Sequence, residues 1–200
     1  MIVADKKREQ IIEGAIKRFS HFGINKTTMN DIAEDLAVSK PSLYYYFPDK
    51  KHLILGVIEK IFNEFFDAIQ KKFNPEQSLE TSLVSTIDVR NTFFQKYYML
   101  KLAEGVPDLF SDETIKAKLT ALRDMEKEFF AKVFTHAKEK GEIKHEDMNY
   151  VAELYLESLM GLTTMCVMET GKDIFPDKKT LNKMTQKQKD LSIIFIRGLR

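Results

Sequence analysis

Two helix starts, Thr28 and Ser39, stand close together in this chain and leave little choice of local architecture. In "TTMNDIAEDLAVSKPSLYYYFPDK", Thr28 is followed three residues later by Asp31. That spacing is a capping box: the hydroxyl accepts from an orphan N–H of the first turn, and the carboxylate accepts from the N–H of the cap. It predicts a short helix through Leu36, with Met29, Ile32, Ala33 and Leu36 on one face. Ser39 caps a second helix, and Pro41 sits in its first turn, where a missing N–H loses no partner. Only Ala37 and Val38 separate the segments, so the chain must turn sharply: a helix-turn-helix.

The aromatic run Tyr44–Phe47 divides between two jobs. At about 100° per residue, Leu43, Tyr46 and Phe47 share one side, and Pro41, Tyr44 and Tyr45 the other, flanked by Lys40 and Ser42. The second helix of such a motif enters a DNA major groove with its N-terminal residues leading. Lys40 brings charge, Ser42 can donate or accept at a base edge, and the tyrosines can reach phosphates. Lys50, opening the next helix, can pair with a phosphate, and Thr27 and Thr28 can bond another beside free helix N–H groups. The candidate DNA-contact set is Thr27, Thr28, Ser39, Lys40, Pro41, Ser42, Tyr44, Tyr45 and Lys50. Residues 1–52 hold nine Lys/Arg against seven Asp/Glu, so binding must rest on placed contacts and two copies rather than on bulk charge.

The rest of the chain repeats apolar residues at helical spacing. Eight glycines and five prolines in 200 residues leave few breaks, which predicts an all-α protein. Helices are expected over about 5–22, 49–73, 78–104, 112–140, 147–170 and 181–198, besides the two short ones. Gly23, Gly141 and Gly171 are placed as stops, and "NPEQS" as the mid-chain break. One cysteine, Cys166, excludes an internal disulfide framework. The opening "MIVADKKREQ" lacks an apolar signal segment, and the uncharged run Ser158–Met168 is too short to cross a bilayer, so a cytoplasmic location is expected.

Residues 5–53 resemble the DNA-binding domain of the TetR family of bacterial transcription regulators. The resemblance rests on aromatic-Gly closing the first helix, the Thr pair, "DIA", "VS", "LY", "YF" and a Lys three residues after that Phe. It implies DNA contacts by Thr28, Lys40, Ser42, Tyr44, Tyr45 and Lys50. Many members carry Gly where this chain has Ala37; an alanine there needs a negative φ or accepts strain. The implied organisation is a three-helix helix-turn-helix domain, 1–52, and a helical ligand-binding and dimerisation domain, 53–200.

Beyond residue 53 there is no Gly-rich phosphate loop, His-Glu-x-x-His or Cys-x-x-Cys. The four histidines are scattered, and no metal or other cofactor is expected. Aromatic and methionine residues cluster instead, and an adaptable ligand cavity is one use for them, a packed core the other. The candidate pocket residues are Phe62, Phe65, Phe66, Phe94, Tyr97, Tyr98, Phe130, Phe134, Tyr155 and Met160, with Arg90 and Glu104 for a ligand's polar end. The 147–170 segment is apolar nearly all round, so one face suits the core and the other a second subunit. Leu154, Ser158, Gly161, Met165, Leu191 and Ile194 are the candidate dimer contacts. The family dimerises through its last two helices, which agrees. The reading is a homodimeric repressor on a pseudo-palindromic DNA operator, released by a small, largely apolar effector. An activator or ligand-independent regulator is the alternative, then a helical protein-binding module or enzyme.

Overall fold

The structure, a computed structural model, describes residues 2–97, 112–170 and 177–200. All regular structure among them is helical: α1 (Ile2–Phe22), α2 (Met29–Asp35), α3 (Lys40–Tyr46), α4 (Lys50–Lys72), α5 (Leu79–Tyr97), α6 (Glu113–Glu139), α7 (Met148–Thr170) and α8 (Lys178–Gly198). Tyr98, Glu104 and Gly171, named above, lie outside the described residues.

The boundaries follow from caps. Gly23 ends α1 at φ +78. Asp49 Oδ1 accepts from His52 N at 2.9 Å to open α4, and Ser78 Oγ accepts from Thr81 N at 3.2 Å to open α5. Asp112 and Asp147 do the same for α6 and α7. The last helix begins before the expected Leu181, because Asp177 caps it by accepting from Thr180 N at 2.7 Å. Helix α1 likewise begins at Ile2, ahead of the expected start near Asp5.

Two compact units are present. The first comprises Met1–Glu64 and Lys96–Leu122, the second Phe65–Gln95 and Arg123–Arg200. A boundary at residue 52/53 is not where compactness divides the chain. Leu53, Ile54, Leu55 and Val57 of α4 are buried in one cluster with Ile11, Ile12, Ala15 and Phe19 of α1, Leu43 of α3 and Phe47, and Ile115 of α6 joins them. Charge fixes α1 against α4 as well: Lys60 is ion-paired to Glu9 and lies 3.0 Å from Glu64.

The core of the second unit is Phe65, Ile69, Leu83, Ile87, Phe130, Phe134, Val151, Tyr155 and Leu159, among others. Its aromatic rings meet edge-on or tilted, with Phe130–Tyr155 centroids at 5.6 Å and Phe134–Tyr155 at 5.7 Å. Such contacts add to the burial term. A smaller cluster of Cys166, Leu181 and Met184 packs with Phe94.

Candidate nucleic-acid interface

The reading helix is held from behind and bare in front. Leu43 and Phe47 are buried and Tyr46 half-buried, whereas Tyr44 is 46% and Tyr45 81% exposed. Lys40 and Pro41 are exposed beside them, with Ser42 half-buried. Ser39 caps the helix through its Oγ, which accepts from Ser42 N at 3.3 Å. The division expected of the tyrosines is therefore the one observed.

Helix α2 is fixed against α1 by close contact and by charge. A Cβ at Gly14 of α1 would lie 2.7 Å from a terminal methyl of Leu36, so a larger residue there would force that side chain to shift. Arg18 of α1 donates to Asp35 at 2.7 Å, reaches Asp31 at 3.6 Å, and lies over the Phe22 ring. The capping box is complete: Thr28 N donates to Asp31 Oδ2 at 2.7 Å and Asp31 N to Thr28 Oγ1 at 3.2 Å. Those bonds hold the Asp31 carboxyl below its ordinary range, with Arg18 and Lys50 assisting.

The turn between α2 and α3 is a Schellman motif. Val38 N donates to Ala33 O at 2.9 Å and Ala37 N to Glu34 O at 3.0 Å. Ala37 takes φ +50, so this chain accepts the left-handed strain that glycine avoids.

Two of the DNA candidates sit differently from expectation. Thr27 is only 1% exposed, and its Oγ1 donates to Gly23 O at 2.8 Å. It ties the loop shut and cannot present its hydroxyl to a phosphate, unlike exposed Thr28 beside it. Lys50 is half-buried, and its Nζ donates to Ile24 O at 2.6 Å. Burial lowers its pKa, against the pull of Asp31. An ammonium has three donors, so this bond positions the charge and leaves capacity for an anion.

The pocket candidates separate into groups. Phe65, Phe130, Phe134 and Tyr155 are buried in the core of the second unit, and Phe66 packs against it. Phe62 and Tyr97 fall in the first unit, where Tyr97 OH donates to Glu64 at 2.9 Å. Phe94 and Met160 do line a cavity of about 200 Å³, together with Arg90, Asn91, Arg123, Glu126, Leu156, Glu157, Leu159, Thr163 and Met184. The aromatic count pointed to the core, and the cavity has a more polar wall than the sequence suggested. Among the described residues no group of three His, Cys, Asp or Glu could hold a metal ion, and no helix is long and apolar enough to cross a membrane.

Helix α7 has two apolar faces. Val151, Ala152, Tyr155, Leu156 and Leu159 are buried in the core. On the other side Tyr150, Leu154, Met165 and Met168 are exposed, at a spacing that continues through half-buried Ser158 and exposed Gly161. On α8, Ile194 is 65% exposed and Leu191 half-buried.

Residues 11–57 match the model of the bacterial regulatory proteins of the TetR family. The HTH-type transcriptional regulator RutR of Escherichia coli (strain K12) is 28% identical over 113 residues, 54% of this chain and 53% of that protein. The chain thus spans about half the length of the first curated relatives it matches. The biofilm operon icaADBC HTH-type negative transcriptional regulator IcaR of Staphylococcus aureus (strain Newman) is 27% identical over 156 residues, 76% of this chain and 81% of that one. Among solved structures, a transcriptional regulator from Cytophaga hutchinsonii superposes with a TM-score of 0.81 at 28% identity, covering 96% of this chain and 98% of the other.

Proposed function

We infer that this chain, which belongs to the TetR family of bacterial regulatory proteins, is a DNA-binding transcription repressor that acts as a homodimer and is released by a small molecule. The observation that carries the reading is the front of α3. Lys40, Pro41, Tyr44 and Tyr45 stand exposed on a helix whose back is locked by Leu43 and Phe47. A rigid element bearing cationic, hydroxyl and aromatic groups at its leading end is what major-groove reading requires. Ser42 supplies a base-edge contact, and Thr28, Tyr44, Tyr45 and Lys50 the backbone contacts.

The dimer is proposed to form through α7 and α8. The stripe Leu154, Ser158, Gly161 and Met165, with Leu191 and Ile194, is apolar or small, and a side chain at Gly161 would meet nothing within 4 Å. An exposed strip of this kind favours a partner surface. Two copies related by a two-fold axis then require a pseudo-palindromic operator. The cavity beside Arg90 is the proposed effector site, and α4 the element that carries its state to Lys50. An effector lowers operator affinity to the extent that it prefers the conformation in which the reading heads are misplaced. The resemblance to a named negative regulator favours repression over activation.

The test is retention of fragmented DNA from the source organism, followed by sequencing, beside a Tyr44→Ala/Lys50→Ala control. Enrichment of one inverted repeat by the wild type alone is the expected result. Equal retention of random fragments by both proteins refutes the assignment of α3.

A further inference from the structure

The cavity in the second unit is walled by charges that are already spoken for. Arg90 of α5 is ion-paired to Glu126 of α6, and Arg123 of α6 donates to Glu157 of α7 at 2.6 Å. Two cations and two anions therefore cancel around it. A ligand carboxylate at Arg90 would compete with Glu126, which is buried and already compensates that charge. A ligand ammonium at Glu126 would compete with Arg90, which also lies 5.1 Å over the Phe65 ring. Separating a largely buried ion pair is strongly unfavourable, so either ion is handicapped.

The uncharged part of the wall is built for hydrogen bonding. Gln188 is fully buried and all its polar groups are used. Its Oε1 accepts from Asn91 Nδ2 at 3.2 Å, and its Nε2 donates to Thr163 Oγ1 at 3.0 Å and to Leu159 O at 3.4 Å. Thr163 spends its own proton on Leu159 O. Asn91, which lines the cavity, still has a carbonyl oxygen and a second amide hydrogen, and no partner for either is found among the described residues. A donor thus stands beside an acceptor on one planar group. Phe94, Leu156, Met160 and Met184 supply the apolar wall.

We propose that this cavity selects a small uncharged effector whose polar end sets a donor beside an acceptor, as a primary carboxamide does, and whose remainder is a short apolar chain. The proposal rests on the reading of the chain as an effector-responsive regulator and names the class of its effector. At about 200 Å³ the cavity holds the equivalent of six or seven waters at roughly 30 Å³ each, so the ligand is small. Asn91 pairs with the carboxamide, and the two ion pairs stay closed, so a charged analogue of the same length finds no uncompensated partner.

The test is calorimetric titration of the full chain with pentanamide, pentanoate and pentylammonium. Pentanamide should bind, and each ion should bind at least about tenfold more weakly, since it loses its hydration and finds the wall charges already compensated. Asn91→Leu should abolish pentanamide binding. Because that change also strips Gln188 of a partner and can unfold the region, Glu126→Gln serves as the second variant. It removes the anion that compensates Arg90, so pentanoate affinity should rise by about tenfold or more relative to that of pentanamide. Tighter binding of either ion than of the amide by the wild type overturns the proposal. So does failure of all three to bind, or an unchanged preference in Glu126→Gln. No DNA enters the titration, so failure to find an operator would refute the regulator and not this ligand preference, and the reverse holds too.

Discussion

Replacing Ala37 with glycine should stabilise this protein, and the molecule contains its own control. Ala37 and Gly141 occupy the same place in two Schellman motifs. Ala37 N donates to Glu34 O and Val38 N to Ala33 O; Gly141 N donates to Lys138 O and Glu142 N to Ala137 O. Both residues are exposed, with φ of +50 and +76. A side chain at Gly141 would meet nothing within 4 Å, so packing drops out of the comparison. What remains is the backbone. The left-handed conformation disfavours an L side chain by about 1–2 kcal/mol. Glycine gives back about 0.4–1 kcal/mol through the greater freedom of its unfolded chain. The net for Ala37→Gly is a gain of roughly 0.5–1 kcal/mol, and for Gly141→Ala a loss of similar size. In a chain of this length each kcal/mol moves the thermal midpoint by about 2–4 °C. Calorimetry or circular dichroism on the two single variants reads both shifts. A lower midpoint for Ala37→Gly, or a neutral Gly141→Ala, would sink the reasoning, since both follow from the sign of φ alone.

The other predictions concern DNA, assembly and pH. Lys50→Ala should weaken binding to every DNA sequence and lower the slope of log affinity against log salt by about one, whereas Ser42→Ala should relax preference at a single base pair; affinity measured over a salt series and a mutated-site series separates them. Met165→Glu, with its charge set in the apolar stripe of α7, should shift sedimentation toward monomer without changing the helical spectrum. Burial pushes the Tyr155 hydroxyl up to about 12 from 10.0, although the bond to Ser192 opposes the shift. The folded form therefore holds that proton more tightly than the unfolded chain. The stability it contributes is whole below pH 10 and is lost as pH rises through about 12. Tyr155→Phe should flatten the alkaline limb of the unfolding midpoint relative to wild type; an unchanged limb would remove Tyr155 from the account.

Much of the first unit could be read from short-range chemistry. The Thr28–Asp31 box, the Ser39 cap and the split of the aromatic run depend on residues within one or two turns, and each stands as expected. Thr27 did not yield to that logic. Periodicity does not say that its hydroxyl closes on Gly23 while its neighbour caps a helix. The start of α8 was missed because apolar spacing begins at Leu181, although Asp177 with Thr180 is a legible cap. The cavity was legible least of all. Phe130, Phe134 and Tyr155 satisfy the same helical spacing whether they surround a void or pack together, and all three are buried in the core cluster. The residues that leave space are Asn91, Thr163 and the two Arg–Glu pairs, brought together from three helices.

The near-neutral reading head has a bearing on numbers inside a cell. Counterion release sets how long a protein lingers on DNA it does not recognise. Residues 1–52 carry a surplus of only two cations, and the Lys50 charge is partly sheltered against Ile24. Such a head leaves random sequence quickly, so the genome sequesters few molecules. On the function proposed above, a small pool of copies then keeps the operator filled, and a correspondingly small pulse of effector would be enough to empty it.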